Sequence, residues 1–302
     1  MENHKEVVAV EELVDTLTLG EPRVDRDHAY VTGPNLYYPT ERIYGGQLSA
    51  QAVMAAAATI TDDKVPDSIH ECFLTVGKLD ETTLYDVKTL RDGRSFSTRQ
   101  ITATQSESTL FTALASFQKQ GQTGVEFHDH MMQDLPDPES LTSAQQLMSP
   151  YAAKAAFAKY YAEQSPFDLR HIGSTVMLTP DEASHKADSG KQMVWARLLH
   201  PVDVSQTMHR ALLAFECDQL MMEPDLRRAG YSTATPGIFY ASIDHAMWWY
   251  GDIDMNEWHL FVQDAPVAGH GRALGTAKVY TKSGELVAAM TQDAMMRVPE
   301  AK

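Results

Sequence analysis

Two parts of this sequence, offset by roughly 170 residues, follow the same order of elements, and that spacing is far longer than a solenoid repeat. Each part has a run of small and apolar residues long enough for a helix, at 47–58 and at 211–220. Similar β-type segments follow the two helix runs, Ser68–Phe73 in the first part and Ser242–Met247 in the second. The repeat therefore predicts two related domains in one chain.

The pattern of apolar residues indicates how each domain is built. Both helix runs are apolar on most sides, which predicts helices that are buried on most sides. The long runs that end each part read as strands, and in the first of them Phe111, Ala113, Ala115 and Phe117 alternate as in a half-buried strand. A buried helix covers the apolar face of such a sheet. The sequence therefore predicts an α+β fold with two antiparallel sheets, each wrapped around a central helix, that join side by side.

A change in composition separates the two parts. Residues 119–140 are polar and rich in turn formers, and 139–164 is Ala-rich and helical in pattern, with Pro150 interrupting it. The predicted boundaries are 1–120 for the N-terminal domain, 121–165 for a linker with a helix, and 166–302 for the C-terminal domain.

The charge of the chain restricts its partners. The 302 residues include 25 Lys+Arg and 41 Asp+Glu, a formal net charge of −16. An acidic chain lacks the basic surface that general nucleic-acid binding requires. An anionic small ligand stays possible, since a local basic patch can act inside an acidic envelope.

Cysteine content and hydropathy indicate the compartment. Two cysteines cannot form a disulfide framework, and the apolar surroundings of Cys72 and Cys217 predict buried, reduced thiols. The first residues lack the apolar core of a signal peptide, and the densest apolar stretch, 53–58, is too short to cross a membrane. We therefore expect a cytoplasmic protein with no membrane partner.

Several common catalytic and cofactor motifs are absent from the sequence. It has neither a G-x-S-x-G elbow nor a G-x-x-x-x-G-K-[ST] loop. The glycines of 269–275 have the wrong spacing for a dinucleotide loop, and no Cys or carboxylate frame completes a metal site at His128 and His130. We therefore expect no cofactor and no metal.

The two halves differ at three polar positions. When they are aligned, the second half has an Asp, a Ser and a Gln where the first has an Ala and two Ser. The pairs are Asp218 with Ala55, Ser242 with Ser68, and Gln292 with Ser116.

These three residue types together can activate water. A carboxylate inside an apolar helix, as at Asp218, is costly unless it is bonded, and it can accept a proton from water. The hydroxyl of Ser242 and the amide of Gln292 would orient that water. The amides of Gly46 and Gln47, at the start of the first helix run, are candidates to polarise a carbonyl oxygen.

Motifs along most of the chain, from Leu13 to Arg297, resemble the acyl-CoA thioesterase II family. The matching segments are Arg42–Gln47, Leu90–Ser97, Ala115–Gln118, Ile243–Trp248 and Asn256–Trp258. The resemblance implies a double hotdog fold and the hydrolysis of acyl-CoA to a free acid and CoA.

The resemblance also implies roles for individual residues. In that family an Asp, a Ser or Thr, and a Gln hold the attacking water, and the matching positions here are Asp218, Ser242 and Gln292. A homo-oligomer, dimer or tetramer, is a further expectation. Glu216, two residues before Asp218, makes this helix more polar than we expect of the family, which leaves the acyl-chain selectivity open.

Two alternatives remain at the level of sequence. A hotdog hydratase or dehydratase would use an Asp-His pair, and Asp244 and His245 offer one. The other alternative is a non-catalytic acyl-CoA binding protein, which the three polar residues argue against.

The phosphates of CoA require basic residues in spite of the net negative charge. Arg91, Arg94 and Arg99 cluster around one turn and the strand that follows it, and they are the predicted phosphate-binding residues. Arg227 and Arg228 after the second helix are further candidates.

Overall fold

The computed structural model describes the backbone of residues 2–298 and the side chains from Ala9 onward. The α-helices are α1 Glu2–Leu17, α2 Gly45–Ala57, α3 Ala144–Met148, α4 Ala156–Glu163, α5 Glu182–Lys186, α6 Gln206–Leu220 and α7 Glu223–Ala229. The strands are β1 Arg23–Asp25, β2 His28–Gly33, β3 Lys64–Phe73, β4 Thr83–Asp92, β5 Phe96–Gln105, β6 Ser108–Lys119, β7 Phe167–His171, β8 Gln192–Leu198, β9 Phe239–Trp249, β10 His259–Gly269, β11 Arg272–Thr281 and β12 Leu286–Arg297.

All strands in the described part of the chain belong to one antiparallel sheet of twelve strands. Their order is β1-β2-β4-β5-β6-β3-β9-β12-β11-β10-β8-β7. The first six strands and the last six mirror each other across the β3–β9 pair, as a duplicated unit should. The predicted α+β architecture is present, and the sheets of the two halves are continuous, as predicted, because β3 and β9 hydrogen-bond directly.

The two long apolar helices of the sequence lie in the core. Helix α2 contacts β3, β4, β5 and β6 and packs along α6. All residues of α2 from Gly46 to Val53 are buried, and α6 is buried from Met208 to Cys217. Burial on most sides, as their composition predicts, follows from each helix having a sheet on one side and the other helix alongside it. Among residues 2–298, no helix combines the length and apolarity that a membrane crossing requires.

The segment between the halves contains short helical pieces. The helix predicted over 139–164 is instead a 3₁₀ turn at Pro138–Ser140, α3, a second 3₁₀ turn at Ser149–Tyr151, and α4. Ser143 caps α3 by accepting from the backbone N–H of Gln146. Pro150 has no N–H to donate, so a continuous α-helix is interrupted there.

Matching β-bulges relate the halves more closely than sequence similarity does. In β3 the register shifts between Pro66 and Ser68, and in β9 it shifts between Ser242 and Asp244. Superposing the bulges matches Ser242 with Pro66, not with Ser68 as predicted. The same superposition matches Asp244 with Ser68, and therefore their partners on the next strands, Asp293 with Ser116. Gln292, one residue before Asp293, then matches Ala115 and not Ser116 as predicted. The first half therefore lacks a polar side chain at both strand positions.

The sheet and the end of α6 meet closely at Gly275. A Cβ at Gly275 would lie 2.5 Å from the carbonyl oxygen of Met221, a backbone atom that cannot rotate away. We expect Gly275→Ala to lower the free energy of unfolding by about 1–3 kcal/mol, as overpacking does.

The matched control is Gly269→Ala, because no heavy atom lies within 4 Å of a Cβ there. Urea unfolding followed by circular dichroism measures both variants. An equal loss of stability in the two would contradict this account of the contact.

Candidate active site

The three predicted water-site residues meet at the boundary between the two halves. Asp218 lies near the end of α6, Ser242 on β9 and Gln292 on β12. The Ser242 hydroxyl donates to Asp218 Oδ1 at 3.2 Å, and Gln292 Nε2 donates to Ser242 Oγ at 2.8 Å. The structure thus places all three side chains in one hydrogen-bonded chain that ends on a carboxylate.

A residue of the first half completes the surroundings of the carboxylate. The backbone N–H of Gly46, at the start of α2, donates to Asp218 Oδ2 at 2.9 Å. Both oxygens of Asp218 therefore have a donor. The helix N-terminus adds a favourable partial positive charge to that contact.

The environment of Asp218 sets its protonation. Burial raises the pKa of Asp218 above the ordinary aspartate value, while the nearby His245, the Ser242 hydroxyl and the Gly46 amide act in the opposite direction. A raised pKa makes a carboxylate a stronger base, as long as the pH stays above that pKa.

Gln292 offers a free acceptor beside the carboxylate. Its side chain is 1% exposed. The oxygen Oε1 is buried and accepts no hydrogen bond from the part of the chain that the structure describes. Buried polar atoms are normally bonded, so this oxygen is suited to a small hydrogen-bond donor.

The two predicted carbonyl-polarising residues differ in position. Gly46 lies at the site, although its N–H is engaged by Asp218. The structure does not bring Gln47 there, because its N–H donates to the Tyr44 carbonyl at 3.1 Å. The Gln47 side chain is held away from Asp218 by Asn35 Oδ1 at 2.9 Å and by the Leu36 N–H at 2.8 Å.

A buried charged pair behind the site was not predicted from the sequence. His245 Nδ1 lies 3.3 Å from Glu71 Oε2, and the two side chains are 1% and 0% exposed. Ser49 Oγ donates to the same Glu71 oxygen, and His245 Nε2 lies 3.5 Å from the Cys217 thiol. The available signal was the alternation of β3, which puts Glu71 on the same face as the buried Ile69.

The protonation of this pair follows from its contacts. Burial alone lowers the pKa of His245, but its contacts with Cys217 and Glu71 outweigh burial and raise the pKa well above the ordinary histidine value. A protonated imidazole is the form that pairs with the Glu71 carboxylate at 3.3 Å. Burial raises the pKa of the Cys217 thiol, which keeps it neutral.

The Asp-His pair expected of a hydratase is not assembled. Asp244 is exposed whereas His245 is buried, because neighbouring residues of a strand point to opposite faces. Cys72, on the strand paired with Asp244, is also exposed, which corrects the prediction that both thiols are buried.

The structure does not support the predicted phosphate-binding arginines. Arg99 is 2% exposed and is bonded to Thr59 and Asp92, so the prediction for it is wrong. Arg91 and Arg94 are exposed, but they lie level with the start of β3, whereas Asp218 lies near the end of that strand. Along the strand, Arg94 is about nine residues, or about 30 Å, from the level of Asp218, and Arg91 is about five residues, or about 17 Å, from it.

The two further candidates for phosphate binding, Arg227 and Arg228, also have partners within the protein. Arg227 is buried against Ser174 and Gln192, and Arg228 is bonded to Asp188.

A cavity of about 390 Å³ opens next to the site. Its wall includes Leu36, Tyr38, Tyr44, Tyr160 and Phe215. The Tyr44 hydroxyl donates to the Phe215 carbonyl at 2.8 Å, one turn before Asp218 on α6. The cavity therefore adjoins the carboxylate, although Asp218 itself does not line it.

Two family models match the chain. Residues 36–118 match the model described as acyl-CoA thioesterase N-terminal domain, and residues 134–296 match the acyl-CoA thioesterase C-terminal domain. The second match alone covers more than half of the chain.

Curated relatives resemble nearly the whole chain. Acyl-coenzyme A thioesterase 8 of Homo sapiens is 28% identical over 295 residues, which is 95% of this chain and 89% of the human protein. Acyl-CoA thioesterase 2 of Haemophilus influenzae is 28% identical over 261 residues, covering 86% of this chain and 89% of that protein.

Solved structures confirm the predicted hotdog fold. The acyl-CoA thioesterase II TesB2 from Mycobacterium marinum superposes with a TM-score of 0.73 at 28% identity, covering 95% of this chain and 99% of that one. The dehydratase domain of the CurK module of curacin polyketide synthase is more distant, with a TM-score of 0.54 at 12% identity, covering 95% of this chain and 100% of that one. That likeness shows a shared fold alone.

A positive charge on His245 should lower the pKa of Asp218, and this can be tested. Because a nearby positive charge stabilises a carboxylate, we expect His245→Gln to raise the pKa of Asp218 further. Carbon-13 NMR of protein with labelled aspartate, compared with an Asp218→Asn spectrum for assignment, measures that pKa.

The control is His70→Gln, because His70 is an exposed histidine on β3. An unchanged or lower Asp218 pKa in His245→Gln would show that the imidazole does not act on the carboxylate as a cation.

Proposed function

The chain belongs to the acyl-CoA thioesterase II family and hydrolyses acyl-CoA thioesters to a free acid and CoA, and on that premise we propose that Asp218, Ser242 and Gln292 activate the attacking water. The observation that carries this proposal is the hydrogen-bonded chain from Gln292 through Ser242 to Asp218. It presents a base, an orienting hydroxyl and a free acceptor oxygen within one small volume.

The reaction needs no covalent enzyme intermediate. Asp218 takes a proton from a water that Gln292 Oε1 orients, and the water oxygen attacks the thioester carbonyl carbon. The tetrahedral intermediate collapses by breaking its C–S bond. The proton on Asp218 then passes to the departing CoA thiolate, which restores the carboxylate.

The developing oxyanion needs a donor. The Gly46 N–H is the amide that already lies at the carboxylate, at the N-terminus of α2. We infer that the thioester oxygen takes this donor as Asp218 turns toward water, so Gly46 keeps its predicted role. Donors fixed by the backbone stabilise such charge because they need no reorganisation.

Removing the base tests the proposal. Asp218→Asn keeps the shape of the side chain but cannot accept the proton, so we expect kcat to fall by about 10²- to 10⁴-fold. Release of CoA from palmitoyl-CoA, detected with a thiol-reactive dye, measures it. Asp244→Asn is the control because that carboxylate is exposed on the other face of β9. Near-normal turnover in Asp218→Asn would overturn the assignment.

The orienting groups should matter less than the base. We expect Ser242→Ala and Gln292→Ala to lower kcat by about 10- to 100-fold each, with less than additive effects in the double variant, since both position one water. Ser242→Thr retains the hydroxyl and should be mild. Ser116→Ala, in the first half, is the control. A greater loss in Ser116→Ala than in Gln292→Ala would place the chemistry in the first half and overturn the assignment.

Other arginines are better placed for the phosphates of CoA. Arg42 is exposed four residues before Gly46, and Arg297 is exposed five residues after Gln292 on β12. We propose that these two, rather than Arg91 and Arg94, attract the nucleotide end of the substrate. This proposal is supported by their positions, because Arg42 lies on the segment that enters α2 and Arg297 lies at the end of β12, and both segments lead out of the site.

Salt dependence separates the two pairs of arginines. Exposed charge pairs contribute modestly, so we expect Arg42→Ala and Arg297→Ala to raise KM by about two- to fivefold each. The rise of KM with salt should be smaller in these variants, because less attraction is left to screen. Arg94→Ala is the matched control at the far end of the sheet. If it alone raises KM, the phosphates bind at the predicted turn.

The arrangement of the whole chain is also a proposal. We propose domains at 1–120 and 166–302, each with its part of the sheet wrapped around its own helix, and a linker at 121–165. Mirrored strand order and the absence of strands between 120 and 166 support this division.

We further propose that the protein is a homo-oligomer, a dimer or a tetramer, on the basis of the family resemblance. We also propose a cytoplasmic location, which the free thiols of Cys72 and Cys217 support.

A further inference from the structure

Helix α7 carries two buried acidic side chains with opposite surroundings. Glu223 Oε2 accepts from Gln192 Nε2 at 2.7 Å and lies 2.8 Å from His171 Nε2. Asp225 is 3% exposed, and neither of its carboxyl oxygens accepts a hydrogen bond from another of the described residues. Within that part of the chain, the one donor at this carboxyl is its own backbone N–H. Native interiors hold few such groups, because each one loses its hydration with little compensation.

Asp225 lies at the corner where α6 turns into α7. Met221 and Met222 alone separate the two helices, and Asp218 lies about one turn before them. The corner rests on β11, because a Cβ at Gly275 would lie 2.5 Å from the Met221 carbonyl oxygen and 3.3 Å from Asp225 Oδ2. A movement of this corner is therefore transmitted to the end of α6 that carries the proposed base.

The strand beneath the corner is paired with the strand that carries Gln292. Gly275 on β11 lies directly opposite Gln292 on β12, and both residues are buried. Residues opposite each other in an antiparallel pair face the same side of the sheet, with Cβ positions about 5 Å apart. Since Gly275 has no side chain, the Asp225 carboxyl takes the space above it, beside the position of Gln292. The corner thus adjoins both the base and the amide of the proposed water site.

Polar contacts on both sides of Asp225 tie the corner to β10. Gln263 Nε2 donates to the Leu220 carbonyl at 2.9 Å, and Arg228 Nη1 donates to the Ala265 carbonyl at 2.6 Å. These contacts hold the backbone near Asp225 but supply no donor to its carboxyl. A neutral carboxyl is tolerable in such a place, whereas a carboxylate there is a buried ion without compensation.

Burial and two other carboxyl groups oppose the ionisation of Asp225. Burial raises the pKa of Asp225 to about 7, Arg228 acts in the opposite direction, and Asp293 on β12 and Asp264 on β10 add to the rise. The carboxyl therefore changes from neutral to charged near neutral pH.

The remaining charged and histidine side chains of α7 and of the elements packed against it have other partners. These pairs are Glu223 with His171, Arg227 with Asp181, His185 with the Arg228 carbonyl, Glu182 with Lys186, Arg272 with Asp293, His259 with the Glu257 carbonyl, and Lys278 with Asp129.

We propose that Asp225 is a positioning residue: its protonated carboxyl lets the corner between α6 and α7 rest on β11, and its ionisation displaces the corner and slows hydrolysis. An ionised carboxyl without donors would move toward solvent and away from Asp264 and Asp293. The end of α6 would follow, so Asp218 and Gln292 would no longer face the same water. This inference rests on the proposed water site and adds its regulation by pH.

The dependence of kcat on pH tests the proposal. In the wild type kcat should rise as Asp218 loses its proton and fall above about pH 7 as Asp225 loses its own, by up to about tenfold per pH unit. Asp225→Asn stays neutral and should keep the rise without the fall. Loss of the ultraviolet absorbance of the thioester in palmitoyl-CoA measures turnover, since that signal needs no pH-sensitive dye. A level wild-type profile above about pH 7, or an equal fall in Asp225→Asn, would overturn the proposal.

A neighbouring charge should move the fall in a defined direction. Asp264→Asn keeps the oxygen that accepts from the Ala265 N–H at 2.9 Å but removes a negative charge near Asp225. The pKa of Asp225 should then decrease, so the fall of kcat should begin at a lower pH. Asp80→Asn, at an exposed carboxyl of the first half, is the control and should leave the fall in place. A fall at the same or a higher pH in Asp264→Asn would show that Asp225 does not cause it.

Thermal unfolding tests the state of Asp225 without any turnover. A carboxyl whose pKa is about 7 in the folded state and about 3.9 in the unfolded state contributes stability that is present at low pH and is lost as the pH rises through about 7. Relative to the wild type, the melting temperature of Asp225→Asn should therefore rise by about 5 °C between about pH 5 and about pH 8. A difference that does not change with pH would contradict a buried, titrating Asp225.

Hydrogen exchange locates the movement. Amide exchange over residues 218–229 should increase in the wild type between about pH 5 and about pH 8, after correction for the intrinsic pH dependence of exchange, and should not increase in Asp225→Asn. The same increase in both proteins would mean that Asp225 does not displace the corner.

Failure of the two proposals looks different. If Asp218→Asn hydrolyses palmitoyl-CoA at the wild-type rate, the water site is wrong, and the unfolding and exchange measurements still report on Asp225. If hydrolysis depends on Asp218 while kcat of Asp225→Asn falls with pH as in the wild type, only the role of Asp225 is wrong.

Discussion

The close approach of α2 to α6 is the contact on which the site depends. A Cβ at Gly45 would lie 2.7 Å from Asp218 Oδ2, and one at Gly46 would lie 2.3 Å from the Phe215 carbonyl oxygen. Only glycine fits at both positions, so the first turn of one helix reaches the last turns of the other. The N–H of Gly46 then reaches a carboxylate 172 residues away in sequence. With β3 paired to β9, this contact makes the two halves one unit.

A duplicated fold with one site has an uneven distribution of polar groups. The strand order is the same from either edge of the sheet, and both halves carry a bulge at the same place. At the bulge the second half has the hydroxyl of Ser242 and the first has Pro66, so the two bulges do not offer the same groups to the proposed water site. The backbone irregularity is thus common to both halves, while the hydroxyl is present in the second half alone at this position.

One buried charged pair joins the two halves at their junction. Glu71 comes from the first half and His245 from the second, and each is almost fully buried. Such charges are tolerable only as a pair with further hydrogen bonds, which Ser49 supplies to Glu71. Separating the halves would leave two buried ions without partners. The pair therefore opposes any sliding between β3 and β9, and it places a cation behind Asp218.

The sequence by itself determined the two central helices, the long strands after them, the duplication and the residue types of the proposed water site, because apolar periodicity and the contrast between the halves are local or pairwise patterns. It identified Asp218, Ser242 and Gln292 as exceptions in otherwise apolar surroundings. Only the tertiary structure decided which groups meet. The sequence pattern placed Arg99 near phosphate, but the structure buries its guanidinium against Thr59. It likewise gives the carboxyl oxygens of Glu216 no hydrogen bond from the described residues, while it pairs Glu71 with His245 across 174 residues. Partners of a buried polar group come from distant segments, and no local periodicity encodes them.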